Sequence, residues 1–475
     1  MKVLYATSEA LPYAASGGLA DVAGSLPYAV RIRLIACRVV LPLYEDVPGE
    51  LRQGMKLITS LSVPVSWRRQ YCGVYEANHN GVIYYLLDNQ YYFKRPGLYG
   101  HYDDAERFAF FSRAVLEMLD YIDFKPDIVH ANDWQCALVP VYYNLFYKQR
   151  QGFEKIKTVY TIHNIQYQGK YGHEILEDVF GISQEAKSVV ELNGVINLMK
   201  GGIDAADKVT TVSPTYSKEI LDPWFAHGLD EVLRDRQWKL QGILNGIDTD
   251  ANNPETDTLI WSNYSAEDLS GKAVNKTKLQ ERLGLPLNRE VPIVSMVTRL
   301  ASHKGLDLVE AALEKLLSED IQFVVLGSGD WIYEEFMREM QIRFPQKMRF
   351  CSGFIPELAH KIYAGSDIFL MPSKSEPCGL AQMIACRYGT VPIVRETGGL
   401  KDSISDCGDG GGIGFTFKTY DETDMSNAIH RALKAYGDKQ FWQELIGRCM
   451  AADFSWGRSA NQYIRLYRSM LKEKS

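Results

Sequence analysis

The stretch SGGLAD (residues 16–21) lies between an apolar run at residues 3–7 and a helical pattern. Two glycines between a strand and a helix are typical of a Rossmann-like unit, in which the loop after a strand approaches a ligand closely. Nearly the same stretch, TGGLKD, recurs at residues 397–402, again after an apolar run. The repeat predicts two such units, whose glycine loops hold opposite sides of one ligand across a cleft.

Short apolar runs alternate with helical patterns along the whole chain of 475 residues, which is too long for one ordinary core. Near-continuous apolar runs are typical of parallel strands that are buried on both faces, and the alternation with helices predicts an α/β architecture of two doubly wound, Rossmann-like domains. The predicted strands are residues 3–7, 38–44, 82–88, 127–133, 158–164 and 208–213 in the first half, and 292–300, 323–330, 348–354, 367–373 and 391–399 in the second.

The regular pattern stops at residues 243–257, where Asn, Gly, Asp and Pro cluster. We therefore predict an N-terminal Rossmann-like domain at residues 1–250 and a C-terminal one at 251–455. Residues 456–475 have a helical pattern, and we expect this helix to pack on the N-terminal domain.

Composition excludes several classes of partner. The net charge of −7 and pI of 5.8 give no basic surface for nucleic acid. No run approaches the ~20 apolar residues of a membrane helix, and Ser8 and Glu9 interrupt the first run too early for a signal peptide. The eight cysteines include no C-x-x-C pair, so we expect reduced thiols in a cytoplasmic protein.

Several catalytic motifs are missing from the sequence. It has no P-loop, no G-x-S-x-G and no H-E-x-x-H, and LGSGD (326–330) has Ile332 where a dinucleotide fingerprint has its third glycine. Asp248 and Asp250 form a D-x-D pair, but they lie in the predicted linker, where aspartate is common in turns. We predict no metal and no cofactor.

Two cations follow the predicted strand at 292–300. Arg299 offers a planar, bidentate guanidinium and Lys304 a compact ammonium, a combination that suits two oxygens of a diphosphate. The alternative is a pair of solvated surface cations. Their position at the carboxyl end of a strand favours the binding interpretation.

Other polar side chains also lie at predicted strand ends. His130, Asp133 and His163 end two strands of the first half, although a histidine that only bonds to a backbone carbonyl is an equally good explanation. Glu376 ends a strand of the second half, where a carboxylate could instead cap the following helix. The aromatic stretch at residues 91–100 could stack on sugars, but core packing is the simpler explanation.

Together these motifs resemble the bacterial glycogen synthases and plant starch synthases, retaining GT-B glycosyltransferases that extend α-1,4-glucan from ADP-glucose. The resemblance extends from Met1 to about Tyr467. Its motifs are SGGLADV, RVVLPLY, RPGLYG, DAERFAFFSRA, HANDWQ, TIHNIQYQG, LNGID, TRLASHKGLDL, SEPCGLAQ and YGTVPIVRETGGLKD. The fold, activity and substrates of that family are therefore expected here, with ADP-glucose as donor and glycogen as acceptor.

The resemblance implies a role for each matching position. The implied catalytic residues are His163, Glu376, Arg299, Lys304 and Asp133. The implied donor-binding residues are Ala15, Ser16, Gly17, Gly18, Asp21, Asn245, Cys378, Gly379, Leu380, Thr397, Gly398 and Gly399, and the implied glucan-binding residue is Tyr99. The cations would neutralise the departing diphosphate, while His163 would lie against the sugar where positive charge develops.

The sequence departs from the family pattern at two places in the first domain. The family has Lys-Thr-Gly-Gly-Leu at the first glycine loop, whereas this chain has Ala15 and Ser16 before the glycines. The family usually has a glycine before the next strand, whereas residues 32–35 here read IRLI. The missing lysine predicts weaker donor binding.

Two other functions are consistent with parts of the sequence. Ala15 favours a catalytically weak, glucan-binding relative, but Arg299, Lys304 and Glu376 are retained. A nucleotide-sugar isomerase with a similar fold is the third possibility, and the stretches RPGLYG and DAERFAFF count against it.

Overall fold

The computed structural model describes residues 1–353 and 355–472, and the chain divides into two compact units. Unit 1 comprises Met1–Gly246 together with a C-terminal helix, and unit 2 comprises Ile247–Ser455. The boundary after Gly246 precedes the one expected after residue 250. Phe354, the last residue of the predicted strand at 348–354, and residues 473–475 of the predicted final helix lie outside the described residues.

Unit 1 contains a nine-stranded sheet and a small three-stranded sheet. Its strands are β1 (Lys2–Ala6), β2 (Ala36–Pro42), β3 (Lys56–Val65), β4 (Arg68–His79), β5 (Val82–Asp88), β6 (Ile128–Asn132), β7 (Lys157–Ile162), β8 (Lys170–Tyr171), β9 (Glu191–Leu192), β10 (Val195–Asn197), β11 (Lys208–Thr211) and β12 (Leu240–Gly242). The large sheet has the order β12-β11-β7-β6-β1-β2-β5-β4-β3, and the small sheet has the order β8-β10-β9.

Helices connect the strands of unit 1. They are α1 (Gly18–Arg31), α2 (Gly49–Gln53), α3 (Gln90–Phe93), α4 (Asp104–Glu117), α5 (Leu138–Tyr142), α6 (Ile175–Asp178), α7 (Leu198–Ala205), α8 (Tyr216–Glu219), α9 (Pro223–Ala226) and α10 (Asp230–Asp235). Strand β1 pairs in parallel with β2 on one side and with β6 on the other. The chain thus leaves β1 and β6 in opposite directions, and ligands of doubly wound folds bind at the carboxyl ends of such a strand pair.

The large sheet is mixed, whereas the sequence predicts parallel strands only. β3 and β4 pair antiparallel, as do β4 and β5, at one edge of the sheet. Buried and exposed residues alternate in the second half of β3, because one face of this edge strand is solvated. The sequence of β3 therefore contains no near-continuous apolar run, and the apolar pattern does not indicate this strand.

Unit 2 contains a six-stranded sheet of order β15-β14-β13-β16-β17-β18, all of whose pairs are parallel. Its elements are α11 (Ser270–Leu283), β13 (Ile293–Val297), α12 (Leu306–Ser318), β14 (Gln322–Gly327), α13 (Trp331–Arg343), β15 (Met348–Ser352), α14 (Pro356–Gly365), β16 (Ile368–Met371), α15 (Ala381–Arg387), β17 (Val391–Arg395), α16 (Gly398–Ser403), β18 (Phe415–Phe417), α17 (Glu422–Gly437) and α18 (Lys439–Ala451). β13 lies between β14 and β16, so its carboxyl end is the second expected ligand position.

The last helix, α19 (Trp456–Lys472), packs against α1 within unit 1. Its Tyr467 hydroxyl lies 2.7 Å from Nδ1 of His130, and Nε2 of the same ring lies 2.5 Å from Oγ1 of Thr161. His130 is fully buried, and both of its ring nitrogens are bonded inside the core. Of the two interpretations of His130, the structural one therefore fits the geometry.

The connection from α1 to β2 contains a strained residue. Leu34, in the IRLI stretch before β2, adopts φ +64° and is 94% exposed. A left-handed conformation costs a residue with a Cβ roughly 1–2 kcal/mol. The exposed side chain gains little from packing that would offset this cost.

We expect Leu34→Gly to raise the unfolding temperature by about 1–3 °C, because the relieved strain exceeds the added backbone entropy of the unfolded chain. Leu34→Ala is the matched control, since it removes the exposed side chain and retains the strain. Thermal unfolding of the two variants under the same conditions tests this. An unfolding temperature of the glycine variant at or below that of the alanine variant would contradict it.

Candidate active site

Asp133 follows β6 directly, at the carboxyl end of the strand pair where unit 1 is expected to bind a ligand. Its backbone adopts φ +54°, an uncommon conformation for a residue with a side chain. Oδ1 accepts hydrogen bonds from the N–H groups of His163 at 2.7 Å and Asn164 at 3.4 Å. Burial nevertheless raises the pKa of Asp133 to about 7. Backbone strain and a perturbed pKa at one residue are typical of a functional site.

His163 follows β7 and is held by Asn132. The Nδ2 group of Asn132 donates to the carbonyl of Ala6 at 2.9 Å, so its Oδ1 faces Nε2 of His163, also at 2.9 Å. Since an amide oxygen only accepts, Nε2 carries the proton and Nδ1 is the acceptor nitrogen. Burial lowers the pKa of His163 to about 3, so the ring is neutral near pH 7. It can orient a hydroxyl group but does not supply a positive charge.

The first glycine loop is bonded to Glu9, which lies beyond the end of β1 and is 4% exposed. Its Oε2 accepts the N–H groups of Ser16 and, at 3.2 Å, of Gly17, and its Oε1 lies 3.2 Å from the Ser16 hydroxyl. A Cβ added at Gly17 would have no heavy atom within 4 Å. Packing within the unit therefore does not require glycine there, and the loop has open space for a ligand.

The second glycine loop differs from the first. Gly398 adopts φ +43°, and a Cβ there would lie 2.0 Å from the carbonyl oxygen of Glu376. A Cβ at Gly399 would lie 2.1 Å from the carbonyl oxygen of Cys378, and the Gly399 N–H donates to the Glu376 carbonyl at 3.1 Å. These glycines allow α16 to pack on the segment that contains Glu376, so the two loops are alike in sequence but not in environment.

Glu376 and Lys304 form an ion pair in unit 2, at the carboxyl ends of β16 and β13. Lys304 Nζ lies 2.7 Å from Glu376 Oε2, and the Ser373 hydroxyl donates to the same oxygen at 3.0 Å. The two charged side chains are 16% and 9% exposed. Because α15 begins only at Ala381, the Glu376 carboxylate binds these side chains rather than capping a helix.

Tight backbone packing brings the Lys304 and Glu376 segments together. Gly305 adopts φ +75°, and a Cβ there would lie 2.0 Å from the carbonyl oxygen of Pro372. The Lys374 N–H donates to the carbonyl of His303 at 2.9 Å. Arg395 supports the same segment through a 2.7 Å bond to the Lys374 carbonyl. Arg299, the second predicted phosphate ligand, lies exposed just after β13.

The remaining predicted positions are distributed between the two units. In unit 1, Ala15, Ser16, Gly17, Gly18 and Asp21 are exposed, and the Tyr99 hydroxyl lies 2.7 Å from the Ser8 hydroxyl. Asn245 is buried, and its Oδ1 has no partner within the described residues. In unit 2, the segment that follows Glu376 contributes Cys378, Gly379 and Leu380, and the segment beside it contributes Thr397, Gly398 and Gly399.

The sequence-based selection of site residues omits three contacts that the structure contains. Glu9 bonds to the first glycine loop, Asn132 orients His163, and Ser373 bonds to Glu376. For Glu9 there is a signal in the sequence, because a carboxylate lies three residues after the end of β1. Asn132 and Ser373 are recognised only through their tertiary contacts.

The predicted turn role of Asp248 agrees with its contacts, since Oδ1 accepts the N–H groups of Asp250 at 3.0 Å and Ala251 at 2.9 Å. Within residues 1–353 and 355–472, no group of three or more His, Cys, Asp or Glu side chains could hold a metal ion. The cysteines form no disulfide in this part of the chain. None of its helices is long and apolar enough to cross a membrane.

Comparison with known proteins gives a consistent result. Residues 2–235 match the family model of the starch synthase catalytic domain, and residues 277–444 match that of the group 1 glycosyl transferases. A relative named glycogen synthase from Geobacillus thermodenitrificans (strain NG80-2) is 49% identical over 100% of this chain and 99% of its own length. Another of that name, from Alkaliphilus metalliredigens (strain QYMF), is 49% identical over 99% of this chain and 100% of its own.

Solved structures agree with the family models. The catalytic domain of Starch Synthase IV from Arabidopsis thaliana, bound to ADP and acarbose, matches with a TM-score of 0.93 and 35% identity over 99% of both chains. Sucrose-phosphate synthase from Thermosynechococcus elongatus matches over 100% of both chains with a TM-score of 0.62 and 16% identity, a likeness of fold alone.

Proposed function

Because the chain belongs to the family of glycogen and starch synthases, we propose that it transfers glucose from ADP-glucose to the non-reducing end of an α-1,4-glucan. The reaction would retain the anomeric configuration, as in an ADP-glucose:1,4-α-D-glucan 4-α-D-glucosyltransferase. The observation on which this proposal rests is the ion pair between Lys304 and Glu376, with Arg299 nearby in sequence, at the carboxyl ends of neighbouring strands.

Glucosyl transfer from a nucleotide sugar needs positive charge where the diphosphate departs. In this proposal, Arg299 and Lys304 bind the diphosphate oxygens and neutralise the charge that develops on them. Glu376 accepts hydrogen bonds from hydroxyl groups of the donor glucose. The Cys378, Gly379 and Leu380 backbone and the Thr397–Gly399 loop complete the donor site in unit 2.

Unit 1 would supply the groups that contact the sugar and the acceptor. The neutral His163 ring orients a sugar hydroxyl through Nδ1, and Asp133 and Asn245 bind further polar groups of the substrates. Tyr99 would contact the glucan. The departing phosphate accepts the proton of the attacking acceptor hydroxyl on the same face of the sugar, which retains the configuration without a metal ion.

Incubation with ADP-[14C]glucose and glycogen tests the proposed activity. Labelled polymer supports a synthase. Retention of glycogen without turnover would instead support the glucan-binding relative, and a changed soluble sugar would support an isomerase. Competition with unlabelled UDP-glucose measures the donor preference. We expect ADP-glucose to be preferred, because the starch synthase that this chain resembles was solved with ADP.

We expect Ala15→Lys to lower the KM for ADP-glucose by roughly ten- to a hundredfold, because a hydrogen bond to a charged group contributes about 1.5–3 kcal/mol. Ala15 is exposed beside the first glycine loop, so a lysine fits without repacking. Steady-state kinetics gives the KM for each substrate, and the KM for glycogen is expected to change little. Ala15→Met extends the side chain without a charge and is the control. An unchanged or higher donor KM in the lysine variant would show that another cation already serves this loop.

We expect excess EDTA to leave the initial rate unchanged, because the proposed charge stabilisation comes from Arg299 and Lys304 rather than from a metal ion. The rate is measured with and without EDTA on enzyme purified without added metal. Loss of activity that Mg²⁺ or Mn²⁺ restores would contradict the expectation and reveal a metal site.

A further inference from the structure

Glu9 is the one carboxylate bonded to the backbone of the first glycine loop in the described part of the chain. One of its oxygens accepts two successive N–H groups, those of Ser16 and Gly17, and the other lies 3.2 Å from the Ser16 hydroxyl. Three hydrogen bonds that the loop donates to this one buried carboxylate fix its path into α1. The loop therefore has its shape before any ligand binds.

The bonds to Glu9 also determine which N–H groups remain for a ligand. The Ala20 N–H is bonded to the carbonyl of Gly17 at 3.1 Å. Gly18 and Leu19 are the first two residues of α1. Their backbone N–H groups have no acceptor among the described residues. These two groups lie at the positive end of the helix dipole, which favours an anion.

The surroundings of Glu9 supply hydroxyl groups and a second acid rather than a cation. Tyr99 reaches it from the loop before α4, and Asp133 and Tyr44 interact with it electrostatically from the segments after β6 and β2. None of the ion pairs within the described residues includes Glu9. Burial raises the pKa of Glu9 above its usual range, against the lowering effect of the bonds from Ser16 and Gly17.

We propose that Glu9 is a positioning residue of the donor site, which holds the first glycine loop in its binding shape while its negative charge weakens the binding of the anionic donor. This inference rests on the proposed function, since it assigns the donor diphosphate to that loop. The family's lysine would offset the charge, and Ala15 leaves it in place. The side chain acts through the loop and does not itself contact the donor.

Two substitutions of Glu9 distinguish the effect of the loop's shape on donor binding from the effect of the carboxylate's charge. In Glu9→Gln, the amide oxygen accepts both N–H groups and the amide nitrogen donates to the Ser16 hydroxyl, so all three hydrogen bonds are retained without the charge. Glu9→Ala loses all three bonds. Glu50→Gln is the matched control, since it removes one negative charge from an exposed glutamate on α2, outside the loop.

We expect Glu9→Ala to raise the KM for ADP-glucose about tenfold or more and to leave the KM for glycogen nearly unchanged. Glu9→Gln should lower the donor KM about three- to tenfold relative to the wild type at pH 8, because it removes one like charge from the site. Glu50→Gln should stay within about twofold of the wild type, because an exposed charge away from the loop is screened by salt. An unfolding temperature of Glu9→Gln at or above that of the wild type verifies that folding is retained, because the buried charge that it removes does not favour folding.

The pH dependence gives a second readout that a merely structural role would not change. Because the pKa of Glu9 is raised, its charge is lost as the pH falls through that value, and wild type and Glu9→Gln then become alike. The ratio of the wild-type donor KM to that of Glu9→Gln should approach one as the pH falls through that raised pKa, and it should increase as the pH rises toward 8. Because Asp133 interacts electrostatically with Glu9, its pKa differs between the two proteins, and the comparison is therefore repeated by titration with ADP in an Asp133→Asn background.

A donor KM of Glu9→Gln equal to or above that of the wild type at pH 8, or a ratio that does not change with pH, would overturn the role of the charge. A wild-type donor KM in folded Glu9→Ala would overturn the positioning role. If the wild type transfers no glucose, the proposed function fails. Titration of the same variants with ADP then tests the inference alone, with the same order of affinities expected.

Discussion

Replacement of Glu376 by alanine is expected to lower kcat/KM for ADP-glucose by roughly a hundredfold or more, a loss of ~3 kcal/mol of transition-state stabilisation. The Glu376 side chain is only 9% exposed, and its carboxylate accepts hydrogen bonds from Lys304 and Ser373. Its removal takes away the proposed acceptor for sugar hydroxyls. It also leaves the Lys304 ammonium without its partner at the proposed diphosphate site.

Two further variants identify the cause of this loss. Glu376→Gln keeps the shape and one acceptor oxygen, so a loss similar to that of alanine would indicate that the negative charge is required. Ser373→Ala removes only the 3.0 Å bond to the carboxylate and is expected to cost less than about tenfold. Near-wild-type kcat/KM in folded Glu376→Ala would remove this residue from the site.

Arg299→Ala is expected to reduce kcat/KM by a similar factor, about a hundredfold, because a guanidinium can bind two diphosphate oxygens at once. The Arg299 side chain is exposed after β13, so its loss should not change the unfolding temperature. Arg299→Lys should restore part of the activity, since it keeps the charge without the bidentate geometry. Steady-state kinetics with varied ADP-glucose measures all three proteins.

The control for Arg299 is Arg282, an exposed arginine on α11 of the same unit. Arg282→Ala changes the net charge by the same amount, and it is expected to leave kcat/KM within about twofold of the wild type. A loss of the same size in both variants would indicate a general effect of charge, and Arg299 would then have no specific role.

Much of the parallel-sheet architecture could be predicted from the sequence, because strands that are buried on both faces are apolar along their length. β5 has the predicted bounds at residues 82–88, and β13 lies within the predicted strand at 292–300. The antiparallel pair β3 and β4 was not predicted. One face of β3 is solvated, so its apolar residues alternate with polar ones.

The candidate site was predictable in part for a related reason. In a doubly wound fold, side chains that follow strands collect at one edge of the sheet, and Asp133, His163 and Lys304 all follow strands. The pairing of Lys304 with Glu376, 72 residues apart, depends on the order of the strands in the sheet. Sequence spacing does not contain that order, and for the same reason it does not show that Asn132 orients His163.

The two glycine loops illustrate the limit of a sequence repeat. SGGLAD and TGGLKD are nearly identical, but Gly17 has open space around its Cα, whereas Gly398 and Gly399 pack against backbone carbonyls. A repeated motif therefore indicates a repeated position in the fold. It does not show that glycine is required for the same structural reason at both positions.

We propose that this chain adds glucose from ADP-glucose to the non-reducing ends of an α-1,4-glucan. The decisive experiment labels glycogen with ADP-[14C]glucose and digests the washed polymer with β-amylase, which releases maltose from non-reducing ends. We expect the label to enter the polymer and to be released early as maltose. Unlabelled polymer, or label that the digestion does not release as maltose, would contradict it.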